Sequence, residues 1–198
     1  MKKQLFLSFF LLLLAGSVFA QGGWKLTRSQ DGLRIYQSEN SGFKNIKVEA
    51  TMPGSLDRLQ QVLYNVGDFK NWVYGNKTAH QLKQVAANEY LYYSETALPW
   101  PLSNRDAVVH ARVMRDGDRS LRITETSAAG VMPEQPGKVR VHRSAISWTA
   151  TPAAPGSINI VYVFEAEPGG KLPAWLVNNF AEKGPYESFK KLARLLKP

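Results

Sequence analysis

The chain has 198 residues, which at roughly 100–200 residues per domain accommodates one domain with a single core. Hydrophobic residues make up 44% and charged residues 21%, which excludes wholesale disorder, a collagen-like repeat and a polytopic membrane protein. The lack of cysteine removes disulfide scaffolds, thiolate metal sites and cysteine nucleophiles, while a formal net charge of +9 directs attention to nucleic acid or an anionic membrane as partner.

Met1-Lys2-Lys3 precedes a nearly unbroken apolar run from Leu5 to Ala15 and then Gly16-Ser17-Val18-Phe19-Ala20, with small residues three and one before the expected cut. The pattern predicts a secretory signal peptide, residues 1–20, cleaved after Ala20. A membrane anchor needs about 20 apolar residues, more than this run supplies. Export to a periplasm or to the outside makes nucleic acid an unexpected partner and leaves residues 21–198 as the mature domain.

Asp31-Gly32 followed by 33–38 reads as a first strand, and 44–52 alternates Ile46, Val48, Ala50 and Met52 with polar residues as a half-buried strand does. Pro53-Gly54 ends it, Ser55 is placed to cap a helix, and Leu56, Leu59, Val62, Leu63 and Val66 fall on one helical face. Strand-like runs follow at 79–86, 90–97, 106–114, 120–126, 139–150 and 158–166, separated by short Gly, Pro, Asn or Asp clusters. Short turns between consecutive strands favour an antiparallel meander. After Pro168-Gly169-Gly170 the period changes to helical, with Pro173 at the start, Leu172, Trp175, Leu176, Asn179 and Phe180 at three- and four-residue spacing, and Gly184-Pro185 expected to kink or interrupt the helix. This is an α+β domain in which a long C-terminal helix covers a curved antiparallel sheet. Such geometry leaves room for a cavity, lined here by aromatics such as Trp100, Trp148, Trp175, Tyr92, Tyr162 and Phe164, all of which could equally be core.

No phosphate loop, nucleophile elbow or His-Glu-x-x-His helix is present. His80, His110 and His142 stand singly in strand-like runs, so no metal site and no cofactor is expected. The segment Pro99-Trp100-Pro101-Leu102-Ser103-Asn104-Arg105-Asp106 is chemically unusual. Two prolines stiffen a loop around an indole, and one of Arg105 and Asp106 can point to the covered face of the sheet. A buried arginine needs a partner: either a carboxylate that pins the loop or an anionic ligand headgroup, whose phosphate or carboxylate geometry a guanidinium matches.

Three stretches carry a family resemblance: Pro99 to Asp106; Met132-Pro133 with Gly137-Lys138-Val139-Arg140; and Pro168-Gly169-Gly170-Lys171-Leu172-Pro173-Ala174-Trp175-Leu176-Val177-Asn178. Together with Trp24, Asp31 to Tyr36, and Trp72, they resemble a StAR-related lipid-transfer (START) domain, most similar to the phosphatidylcholine-transfer type. The resemblance implies a helix-grip (START / Bet v 1-like) fold with an internal hydrophobic tunnel for one lipid, phospholipid or sterol-like, gated by the 98–104 loop and the C-terminal helix. It carries a headgroup role to Arg105, with Trp100, Asp106, His110, Ser144, Ile146, Tyr162, Trp175 and Phe180 as cavity or gate candidates. Where phosphatidylcholine binders place a tyrosine and a glutamine, this chain has Ser144 and Ile146, which removes an aromatic contact suited to choline.

The leading expectation is an exported lipid carrier. The alternative is a helix-grip cavity enzyme of the cyclase or hydrolase kind, with His110 and Asp106 as acid–base groups. A third is a partner protein with a vestigial cavity. The C-terminal segment from Leu172 holds Lys183, Lys190, Lys191, Arg194 and Lys197 against Glu182 and Glu187. That excess complements a helix C-terminus and suits transient docking to an anionic membrane.

Overall fold

The computed structural model describes residues 23–40 and 43–197; the expected signal peptide lies outside the described residues. Ten strands form one sheet: β1 (Lys25–Gln30), β2 (Leu33–Asn40), β3 (Phe43–Pro53), β4 (Asn76–Ala86), β5 (Glu89–Thr96), β6 (Asn104–Asp116), β7 (Ser120–Ser127), β8 (Lys138–Arg140), β9 (Arg143–Pro152) and β10 (Ser157–Glu167). The helices are α1 (Leu56–Tyr64), one turn α2 (Phe69–Trp72) and α3 (Ala174–Leu195). The sheet order is β1-β2-β3-β10-β9-β7-β6-β5-β4, and β8 lies parallel to β6 beyond the end of its pairing with β7.

The meander therefore holds only in pieces. The segment containing α1 and α2 carries the chain from β3 to the far edge at β4, and the last strand, β10, closes back on β3. The run expected at 139–150 is two strands, separated at Val141-His142. β1 was not expected; its residues are exposed or half-exposed on the sheet edge and lack the alternation a buried face imposes.

One face of the sheet is covered by all three helices. Period-2 alternation sends Ile46, Val48, Ala50 and Met52 of β3 inward opposite Phe164, Tyr162, Ile160 and Ile158 of β10. Helix α1 is capped by Ser55, whose Oγ accepts from the Arg58 N–H at 3.1 Å, and buries Leu56, Leu59, Val62 and Leu63. Val66 is buried too, but in the 3₁₀ turn that follows. Helix α3 runs unbroken through Pro185. The proline ring deletes a backbone donor, and burial of Ala181, Gly184, Pro185, Tyr186 and Phe189 holds both halves to the sheet across that gap. Tyr186 also donates to Asp31 Oδ2 at 2.6 Å, tying α3 to the β1–β2 turn.

The inner face is filled unevenly. Toward one end Val109, Ala111, Val113, Leu121, Ile123, Ala150, Ile158 and Ile160 are fully buried, beneath α1 and the last turns of α3. Toward the other end, inward-facing Ser94, Ala107, Ser127, Ser144, Ile146, Tyr162 and Phe164 keep accessible surface. The inner face is thus less fully covered toward the end where β6 begins.

Candidate functional site at the open end

Each residue of Ser103-Asn104-Arg105-Asp106 has a separate structural partner at this end. The Ser103 carbonyl accepts from Arg105 Nη1 at 2.6 Å. Asn104 Oδ1 accepts from the Leu98 N–H at 3.1 Å, and its amide donates to Glu95 Oε1 at 2.6 Å. Arg105 faces the helices, in register with Thr96 of β5 and Val139 of β8. Its Nε donates to the Pro168 carbonyl at 3.0 Å and its Nη2 to the Gly169 carbonyl at 2.9 Å. Among the described residues no carboxylate pairs with it, so of the two partners the sequence allows, a carboxylate is not what Arg105 meets. Burial without a counter-charge pulls its guanidinium below the ordinary arginine value.

The bridge exists one residue on. Asp106 points to the opposite face of the sheet and binds Arg140 bidentately, Nε to Oδ1 and Nη2 to Oδ2, both at 2.9 Å. Both side chains have 0% exposure. Arg140 also donates to the carbonyls of Ala129, Met132 and Pro133, each at 3.1 Å. The two arginines therefore tie three loops to β6: 97–103, 128–137 and 168–173. All three stretches that carried the family resemblance meet here. Gly169 fits the same account. Its φ of +71° is a left-handed value, and a Cβ there would lie 3.0 Å from Val139 and 3.2 Å from the Arg140 carbonyl.

On the outer face, burial pushes the Glu95 carboxyl up, but Lys138 (2.8 Å), Asn104 and Lys77 (3.0 Å) outweigh it and hold the carboxyl at about 2. A depressed pKa stabilises the fold above the ordinary carboxylate value, and that contribution is lost as pH falls through the folded value. The melting temperature is expected to drop between pH 4.5 and about 2 more steeply for the wild type than for Glu95→Gln. Circular-dichroism melts across that window check it, and parallel curves would contradict it.

The other expected site residues separate into two groups. Ser144, Ile146 and Tyr162 face the helices: the Ser144 hydroxyl pairs with Ser127 at 2.8 Å, Ile146 lies between Glu125 and Phe164, and the Tyr162 ring is 4.5 Å from Trp148 and 5.6 Å from Phe189. Phe180 packs edge-on against Tyr74 at 5.3 Å. Asp106 and His110 do not line the inner space, because alternation along β6 sends both to the outer face, where His110 Nε2 lies 3.0 Å from Glu89. Trp100 and Trp175 do not line it either. They are 92% and 60% exposed, Trp100 on the 97–103 loop and Trp175 in the first turn of α3, just after the loop that Arg105 holds. His142, between strands, meets Glu134 at 3.0 Å. Sequence reasoning placed Arg140 in a motif without giving it a role, and missed Glu95 and a buried carboxyl, Glu125. Only the last had a usable signal, because it continues the inward alternation of Leu121 and Ile123.

A curved antiparallel sheet gripping a C-terminal helix, with inward-facing apolar residues left partly exposed at one end beside a buried arginine, defines a helix-grip protein. Residues 12–197 match the START domain family, and the chain belongs to it. It is 30% identical over 171 residues to the phosphatidylcholine transfer protein of Mus musculus, covering 81% of this chain and 78% of that protein. An uncharacterised protein of Pseudomonas aeruginosa is 27% identical over 190 residues, 92% of this chain and 94% of the relative. Among solved structures, a fragment of the STAR-related lipid transfer protein from Xanthomonas axonopodis superposes with a TM-score of 0.79 at 28% identity, covering 88% of this chain and 98% of that one. Human STARD10 shares the fold with a TM-score of 0.76 at 23% identity, over 88% and 73% of the two chains.

Proposed function

We propose that the protein is exported by its first 20 residues and holds one lipid, phospholipid or sterol-like, between the sheet and α3, carrying it between membranes. The observation that carries this reading is the half-exposed inner wall of Ala107, Ile146, Tyr162 and Phe164. Covering such a wall with an acyl chain gains about 0.8 kcal/mol per buried CH₂. The names of the mouse and Xanthomonas relatives point the same way. Arg105 has five N–H groups by its chemistry and spends three on neutral carbonyls, so a lipid phosphate at the mouth would supply the missing counter-charge.

Entry of a lipid requires contact with a bilayer at the open end. Trp100 and Val131, 53% exposed, project there from two of the tied loops and Trp175 from the first turn of α3, and indoles suit the headgroup boundary. Lys190, Lys191, Arg194 and Lys197 sit instead in and beyond the last turns of α3, at its sealed end, where they complement the helix C-terminus. Docking in this reading is led by the tryptophans. An enzymatic role for His110 and Asp106 has little support, since both lie across the sheet from the inner space. The test is uptake: the purified protein is mixed with phospholipid vesicles, re-isolated and weighed intact, and a protein that leaves every vesicle lipid behind contradicts the reading.

A further inference from the structure

The strands sort their charges across the sheet at the end where β6 begins. Glu95 of β5, Asp106 of β6 and Glu167 of β10 all face the outer side, and each is matched there by a cation: Lys138 and Lys77, Arg140, and Arg143 in turn. Glu165 alternates to the same side. On the inner side, among the described residues of β5–β10, Arg105 is the one charged side chain at this end; Thr96, Val139, Ala107 and Ser94 face the helices around it. Ser127 and Ser144 keep accessible surface toward the same end, pair with each other and bring no charge. The inward carboxylate of β7, Glu125, lies beside Ala111, roughly 20 Å farther along β6 at about 3.3 Å per residue. Its Oε2 already accepts from the Tyr92 hydroxyl.

We infer that this end of the inner face selects phospholipids of net negative charge, a phosphodiester without an ammonium, over the zwitterions phosphatidylcholine and phosphatidylethanolamine. The inference rests on the lipid-binding reading and adds a headgroup class to it. An ammonium is held by a carboxylate or by several ring faces. The described strands turn their carboxylates at this end outward, and the inner rings are engaged: Tyr162 packs on Trp148 and Phe189, and Phe180 on Tyr74. A zwitterionic headgroup brings a second cation to Arg105 with nothing to offset it, whereas a phosphodiester alone brings the one opposite charge.

The test is the composition of bound lipid after exchange with one vesicle population that holds phosphatidylglycerol, phosphatidylmethanol, phosphatidylcholine and phosphatidylethanolamine in equal amounts with identical acyl chains. A shared vesicle surface makes docking the same for every lipid, so only the site chooses. Mass spectrometry of the re-isolated wild type is expected to show the two anionic lipids in excess over the two zwitterions on the order of tenfold. Equal shares, or an excess of zwitterions, overturn the assignment. Phosphatidylmethanol carries no headgroup hydroxyl, so its enrichment beside phosphatidylglycerol is the mark of charge, and enrichment of phosphatidylglycerol alone overturns the assignment as well. Ala107→Asp places a carboxylate two residues from Arg105 on the same face, about 7 Å away, and should shrink the excess to within about twofold. Arg105→Gln carries the test if the aspartate variant does not fold, and should cut the excess about threefold or more. An unchanged excess in the folded variants, judged by their melting curves, overturns the proposal. A wild type that takes up none of the four lipids defeats the lipid reading itself, and this proposal with it.

Discussion

Replacing Arg140 with alanine is expected to cost about 3–5 kcal/mol of unfolding free energy, because it leaves Asp106 as a buried, unpaired charge. The single change removes both bonds to that carboxylate and the three bonds to the carbonyls of Ala129, Met132 and Pro133. The β8 strand and the 128–137 loop then lose their principal tie to β6. For a domain of this size each kcal/mol corresponds to roughly 2–4 °C in melting temperature, so a fall of about 10 °C is expected. Urea denaturation gives the free energy directly. Joint replacement, Arg140→Met with Asp106→Leu, should recover much of the loss, since an apolar pair need not be desolvated as ions. A loss below about 1 kcal/mol for Arg140→Ala would mean the bridge does not hold the loops.

Arg105→Ala is the second large effect, and it falls on binding more than on folding. Its three carbonyl bonds hold the 168–170 turn against β6, and their loss should cost about 1–3 kcal/mol. If the guanidinium also meets a lipid phosphate, uptake of a phospholipid should fall on the order of tenfold, while uptake of a diacylglycerol with the same chains changes little. Arg105→Lys should behave like the alanine variant, because an ammonium keeps the charge but not the planar fork that reaches Pro168 and Gly169 together. An equal fall for both lipids would restrict Arg105 to its structural task.

Much of the architecture is legible in the sequence where one face of an element is buried and the other is wet. β3 announces itself by Ile46, Val48, Ala50 and Met52, and α1 by its cap and its apolar face, because burial imposes the period. β1 gives no such signal: Lys25, Leu26 and Thr27 are all exposed at an edge. Pro185 misleads, since local chemistry predicts a break and packing on both sides overrides it. At the site, the motif positions were visible but their partners were not. Arg105 binds backbone carbonyls, which carry no side-chain signature, and the facing of Asp106 and His110 depends on the register of β6. Glu125 illustrates the opposite failure: the alternation placed it inside, while its residue type suggested the outside.

The central claim, that the space between sheet and α3 holds one lipid, is tested most directly by native mass spectrometry of the protein re-isolated from vesicles that carry the membrane lipids of its source cell. The account predicts a mass increment corresponding to one lipid per chain, released on denaturation. Protein that returns at the bare chain mass under every vesicle composition, with its native fold intact, contradicts it.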